Sequence, residues 1–253
     1  LYWMKAYEIP EVARYGKGKP IINLLNINDE ITAVLPVKKF EGSLFMATQH
    51  GIIKRVNMSM FSNPRKGGVN AIKLNGDKLI DVEILNGDEE IIMATKKGIA
   101  IRFKANEVRE MGRNAYGVTG IKLEEGDVVV GVQIIPSDEK MRKDMTILTV
   151  TENGYGKRTT IDDYRLTSRA CKGIINVNTS DRNGDVVGIE IVDDKDSIIV
   201  TTAKGIVIRT SMKEIREMGR NTQGVKIIKT GPGDKVTSLT KVQKDETGEE
   251  VEA

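Results

Sequence analysis

Apolar and polar residues alternate in short runs along this chain, and the runs come in pairs. Residues 91–95 (Ile-Ile-Met-Ala-Thr) and 99–103 (Ile-Ala-Ile-Arg-Phe) flank Lys96-Lys97-Gly98 and predict a β-hairpin. The same arrangement surrounds Asn153-Gly154, a pair suited to two turn residues with positive φ. Two further strands are predicted at residues 120–123 and 128–133, separated by the polar turn Glu124-Glu125-Gly126-Asp127. The pattern leaves little room for helix beyond a turn near residues 213–218.

The pattern repeats. Arg-Glu-Met-Gly-Arg-Asn occurs at residues 109–114 and again 107 residues later at 216–221. Three landmarks recur in a fixed order. The first is a turn glycine followed by alternating apolar and basic residues, at Gly51, Gly98, Gly154 and Gly205. The second is a glycine with an aliphatic residue four places on: Gly18/Ile22, Gly68/Ile72, Gly117/Ile121, Gly173/Val177 and Gly224/Ile228. The third is an aspartate two residues before an aliphatic one, at Asp29, Asp77, Asp127, Asp185 and Asp234. The period is about fifty residues, about four strands each, which is the signature of a propeller-like blade. The longest step holds a polar insertion around residues 136–144, expected as a surface loop. One blade buries too little surface to stand alone, so neighbouring blades must supply the core. An all-β, blade-repeat fold follows.

Composition sharpens this picture. Among 253 residues, hydrophobic side chains make up 39% and aromatic ones 4%, so Ile, Val and Leu must do the packing. No apolar run approaches a membrane-spanning length, and the single Cys171 has no intrachain disulfide partner, which fits a cytoplasmic setting. The net charge is +3, but Asp245, Glu246, Glu249, Glu250 and Glu252 are gathered at the end, leaving a more basic body. The expected division is a repeat domain at 1–243 and an acidic, disordered tail at 244–253. A sharper reading of the tail has it compete with phosphates for the basic body.

The basic residues recur with the landmarks. Arg55, Arg102, Arg158 and Arg209 share one position after the turn glycine, with Lys54 and Lys157 beside two of them. Arg14, Lys17, Arg65, Lys66, Arg113, Arg169, Lys172 and Arg220 lie just before the second glycine landmark, and Lys19 closes the basic run at 14–19. Placed at the same point of every blade, these cations would form a curved positive track suited to bent duplex DNA. Bending a few tens of base pairs costs something on the order of 10 kcal/mol, which counterion release from about ten phosphates would offset. The bland alternative is the wet face of ordinary strands. A propeller that binds proteins is the competing reading, with charges scattered over both faces and an apolar or mixed docking face.

Enzyme chemistry finds little support. His50 precedes a turn glycine without the partners that a metal or catalytic site requires. Cys171 lies in a basic loop and reads as an incidental thiol, and Gly16-Lys17-Gly18-Lys19-Pro20 lacks phosphate-loop spacing. The recurrent aspartates are expected to be structural, accepting backbone N–H bonds.

Residues 2–10, the run 18–24 before Asp29, 153–159, 168–173 and 219–225 together resemble the C-terminal domain of the DNA gyrase A protein, part of a type IIA topoisomerase. The resemblance runs from Leu1 to about Val242 with blade spacing in register. It implies a six-bladed β-pinwheel in which adjacent blades exchange strands, the first blade here being incomplete. It also implies DNA binding and positive wrapping around a basic rim, and no catalytic residue within this segment. None of Tyr2, Tyr7, Tyr15, Tyr116, Tyr155 or Tyr164 inherits the family's nucleophile, and ATP and Mg belong to other parts of the holoenzyme. Implied partners are double-stranded DNA and the remainder of the A2B2 gyrase heterotetramer, which pairs two A with two B subunits. The segment itself is expected to be monomeric, cytoplasmic and chromosome-associated. The family's Gln-Arg-Arg-Gly-Gly-Lys-Gly box is absent. The equivalent domain of topoisomerase IV is a close alternative.

Overall fold

The computed structural model describes residues 1–13, 15–25, 27, 30–63, 65 and 67–242. Arg14 and Lys66 of the expected DNA-contacting set, Asp29 and the acidic tail lie outside the described residues.

The predicted hairpins form. The second repeat contributes β1 (Ser43–Thr48), β2 (Ile52–Asn57) and β3 (Leu79–Leu85). The third contributes β4 (Glu90–Thr95), β5 (Ile99–Lys104), β6 (Val118–Thr119) and β7 (Val129–Ile135). The fourth contributes β8 (Thr146–Thr151), β9 (Tyr155–Thr160), β10 (Ile174–Ile175) and β11 (Val186–Val192). The fifth contributes β12 (Ser197–Thr202), β13 (Val207–Ser211), β14 (Val225–Lys226) and β15 (Val236–Lys241). The two short helices, α1 (Ile21–Leu25) and α2 (Glu139–Arg142), lie in the first repeat and in the polar insertion. The turn expected near 213–218 is a 3₁₀ turn at Met212–Glu214.

Four antiparallel sheets result, with strand orders β3-β1-β2-β6, β7-β4-β5-β10, β11-β8-β9-β14 and β15-β12-β13. In each four-stranded sheet the last strand comes from the following repeat, so the blades exchange strands as a pinwheel does. The first repeat is tied in the same way: Leu1 and Val69 exchange two backbone hydrogen bonds of 2.9 Å. The exchanged segments were expected as full strands within their own repeats, at 120–123 in the third. They are two residues long instead and start earlier, at Val118.

Glycine makes the exchange possible. At Gly117, φ is +119° and a Cβ would lie 2.6 Å from the carbonyl oxygen of Ile53 on β2. No other residue lets the exchanged strand approach so closely.

The hairpin turns differ in detail from expectation. Gly154 has positive φ but Asn153 does not. Each turn is instead closed by the glycine N–H donating to a threonine carbonyl three residues back, at Thr48, Thr95, Thr151 and Thr202. That is a type I turn followed by a left-handed glycine. Asp77, Asp127 and Asp234 accept the backbone N–H of His50, Lys97 and Lys204 in these turns, as their recurrence suggested. Asp185 departs from the set and reaches Lys96 at 3.2 Å.

The core lies between blades. Along β4, Ile91 and Met93 face the preceding sheet while Ile92 and Ala94 face the following one. Strand β8 sends Ile147 back and Leu148 and Val150 forward. The middle strands are therefore buried on both faces. Strand β7 packs against β3 and β11, and β11 against β15, so these strands surround the axis. The exchanged strands lie at the opposite edge of each sheet, on the outer perimeter.

Candidate nucleic-acid interface

The two expected sets of cations have different fates. Lys54 and Lys157, on β2 and β9, are 0% exposed. The Lys54 ammonium donates to the carbonyl oxygens of Ala71, Arg113 and Ala115 at 2.6, 2.5 and 2.9 Å. Lys157 donates to Gly219 and Arg220 at 2.8 and 2.5 Å. Desolvation pulls both amines down to about 8. At neutral pH they remain charged, and carbonyl oxygens, all but that of Ala71 in the following repeat, replace water.

The neighbouring arginines are equally committed. Arg102 donates to the carbonyls of Ile161 and Tyr164, both at 2.9 Å, in the following repeat. Arg158 donates from Nε to the carbonyl of Ile215 at 2.9 Å and from Nη1 to Asp194 at 2.5 Å. Arg55, with 18% of its side chain exposed, lies 3.6 Å from Glu110.

These bonds correct the sequence reading for most of the first set. Lys54, Arg102, Lys157 and Arg158 fasten blade to blade in the buried seams, and Arg55 is mostly covered there. Alternating aliphatic and basic residues looked like a strand with a wet face. Both faces of these strands are covered, so a cation there must find carbonyl or carboxylate partners. Arg209 differs: it is exposed on β13, with Nε 3.2 Å from the Ser197 hydroxyl.

The seams also explain the repeated hexapeptide. Glu110 and Glu217 lie beside Arg55 and Arg158 in parallel bridges, and the N–H groups of Met111 and Met218 donate to the carbonyls of those arginines. The carbonyls of Arg113 and Arg220 receive the two lysines. Arg-Glu-Met-Gly-Arg-Asn is the socket for a preceding Lys-Arg pair, and it recurs wherever that pair does.

The second set sits on the perimeter. Arg113, Arg169 and Arg220 occupy equivalent positions before the exchanged strands and are half-buried. Arg169 donates to the Thr119 carbonyl at 2.9 Å, and Arg220 to the Ile175 carbonyl at 2.8 Å. Each thus lies over the exchanged strand of the preceding repeat. Arg65 and Arg113 line one surface cleft with Asn70 and Asn114. Lys172 is exposed in the fourth repeat, and Lys17 and Lys19 are exposed in the first.

Some recurrent exposed cations were missed. Lys73, Lys122 and Lys229 stand five residues after Gly68, Gly117 and Gly224, and all are exposed. Their signal was available in the second landmark, one residue beyond the aliphatic position. Arg182 and Lys226 were also missed, since only tertiary structure brings them together.

The axis carries the opposite charge. Asp81 and Glu83 on β3 and Glu190 on β11 all have raised pKa values, with desolvation the largest cause at each. Asp81 adds to the rise at Glu83, and both add to the rise at Glu190. Glu83 and Glu190 are pushed up to about 7. Lys241 on β15 acts against the shift at Glu190 and lies 2.9 Å from Asp196.

Comparison with known proteins agrees with this architecture. The family model for the "DNA gyrase C-terminal domain, beta-propeller" matches residues 1–38, 42–86, 89–136, 146–193 and 196–243. The DNA gyrase A protein of Salmonella typhimurium is 46% identical over 258 residues, covering 100% of this chain and 29% of that protein. The chain thus spans under a third of the length of that relative. Among solved structures, a DNA topoisomerase IV C-terminal domain superposes with a TM-score of 0.84 at 27% identity, covering 94% of this chain and 74% of the other. A DNA gyrase A C-terminal domain superposes with a TM-score of 0.80 at 30% identity, covering 95% and 78%.

Proposed function

The chain belongs to the DNA gyrase C-terminal domain family, and from that premise we propose that it binds duplex DNA on its outer perimeter and bends it. The observation that carries this reading is the equivalent placement of Arg113, Arg169 and Arg220. Two of them are held over exchanged strands at the outermost edge by bonds to Thr119 and Ile175. Arg65 shares a cleft with Arg113, and the exposed Lys172, Lys73, Lys122 and Lys229 stand near these positions in the sequence and add positive charge.

Such a perimeter meets phosphates without reading bases. Counterion release supplies the drive, and the bend spreads phosphate contacts over successive blades. In this proposal the chain takes no chemical step itself. It presents a wrapped segment to the other parts of the gyrase A and B subunits, which use ATP to perform strand passage in the cytoplasm. The buried seam cations contribute by fixing the angle between blades, and hence the curvature that DNA follows. The sequence identities favour gyrase over topoisomerase IV.

The test is topological. The chain is bound to nicked circular DNA, the nicks are sealed with ligase, and the linking number is read. A positive linking difference is expected. Salt-sensitive binding without a shift would reject chiral wrapping by this chain, and absence of binding would overturn the reading altogether. Arg65→Gln and Lys172→Gln should each lower the log–log salt slope by about 0.9.

A further inference from the structure

The fourth repeat departs from the others at one place on the perimeter. In the hairpin β8–β9, Tyr155 stands where Ile52, Ile99 and Ile206 stand in the other repeats. Its cross-strand partner is Lys226 of the exchanged β14, whereas Ile52 faces Thr119 and Ile99 faces Ile175. The Lys226 ammonium lies over the tyrosine ring, 5.2 Å from its centroid. The guanidinium of Arg182 lies over the same ring at 5.0 Å, and its Nε donates to the phenol oxygen at 3.3 Å.

Arg182 is delivered by a loop that is longest in this repeat. From the second glycine landmark to the aspartate, the spacing is twelve residues here, eleven in the first repeat and nine or ten in the second, third and fifth. The loop is braced from within. Asn183 is fully buried and donates to the carbonyls of Asn178 and Gln223 at 2.9 and 3.2 Å. The amide of Asn153 donates to the carbonyls of Asp181 and Arg182 at 3.0 and 3.2 Å.

Two exposed cations are therefore held against one ring. Among the described residues neither forms an ion pair with a carboxylate, although acidic side chains are abundant elsewhere on the surface. The nearby Gln223 accepts from Arg182 at 3.4 Å and adds no charge. Like charges so placed repel each other, and the ring quadrupole offsets only part of that repulsion. An anion between or beside them removes the rest. The cations over the ring also deny its face to a nucleobase, so the group suits phosphate rather than base stacking.

We propose that Tyr155, Arg182 and Lys226 form a phosphodiester clamp on the DNA path, a contact specific to the fourth repeat. This rests on the DNA-binding reading above and fixes one point along the bound duplex. The clamp takes a backbone phosphate of double-stranded DNA. Tyr155 is a positioning residue, since its ring holds the two cations that touch the phosphate.

The experiment measures affinity for a mixed-sequence linear duplex across a salt series. The double variant Arg182→Gln/Lys226→Gln should lower the log–log salt slope by about 0.9, the value for the one phosphate that the clamp holds. The loss should be equal on A·T-rich and G·C-rich duplexes. Tyr155→Ile, which restores the residue of the other repeats, should weaken binding less than the double variant does. Arg182 and Lys226 are exposed, so the thermal transition should stay in place and a folding defect would not imitate the effect. Wild-type binding with an unchanged slope in the double variant would overturn the clamp alone. A loss confined to one base composition would overturn the phosphate assignment. Failure of the wild type to bind would overturn the DNA reading and the clamp with it.

Discussion

Arg102 bonds Glu90 of its own hairpin through two nitrogens at 2.6 Å, while the arginines equivalent to it find carboxylates elsewhere. Arg55 and Arg158 lie 3.6 Å from Glu110 and Glu217 of the following repeats. In those blades the position of Glu90 is held by Ser43 and Thr146, and in the blade after Arg102 the position of Glu110 is held by Leu166. Each of these three seams thus contains one glutamate for its arginine, supplied from either side.

This exchange of donors is testable by compensation. Glu90→Ser should destabilise the fold by about 3–5 kcal/mol, because the buried Arg102 guanidinium loses its counter-ion. Adding Leu166→Glu should recover part of the loss, although Arg142 also reaches Glu90 at 3.3 Å. Denaturant unfolding of the four members of the cycle checks it, and a strictly additive result would remove the idea of interchangeable donors. Arg209→Ala, on an exposed side chain, should change stability by less than about 1 kcal/mol.

The axial carboxylates predict a pH dependence. Glu83 and Glu190 have folded-state values near 7, above their ordinary range, so the folded chain holds protons that the unfolded chain has released. Their contribution to stability is fully present below about pH 4 and is lost as pH rises through 7. The loss is about 1.4 kcal/mol for each pH unit between the ordinary and the folded value. Glu190→Gln should therefore raise the melting temperature at pH 8 and leave it little changed at pH 4. A variant less stable than wild type at pH 8 would contradict the repulsion that Asp81 and Glu83 exert on Glu190.

Close backbone approach predicts intolerance at the turn glycine. A Cβ at Gly98 would lie 2.3 Å from the Val177 carbonyl, and φ there is +85°. Gly98→Ala should cost about 1–3 kcal/mol from strain alone, with a further loss as β10 is pushed from β5. Gly205→Ala meets no atom within 4 Å and should cost less despite its φ of +83°. The difference between their denaturation midpoints is the measurement.

Much of this architecture is legible in the sequence, and the omissions have physical causes. The hairpins β4–β5 and β8–β9 announce themselves through alternation and a turn glycine, and the buried aspartates through recurrence. The exchanged strands β6, β10 and β14 escape because two residues carry no periodicity, and their pairing depends on a glycine rather than on side chains. Lys54 and Lys157 mislead for another reason. Alternation locates a strand's two faces but does not say whether a neighbour covers both. Tyr155, Arg182 and Lys226 are far apart in sequence, and only the long loop of one repeat unites them.

The Lys-Arg pair and its Arg-Glu-Met-Gly-Arg-Asn socket give the chain a reading frame for whole repeats. Excision of the third and fourth repeats together would bring Lys54-Arg55 up to residues 216–221, an identical socket, and the seam would close as before. Excision of the third alone would present the pair with residues 165–170, where Leu166 replaces the glutamate and both blades leave their arginine without a counter-ion. Duplications obey the same parity, so lineages should gain or shed such modules more readily in twos than singly.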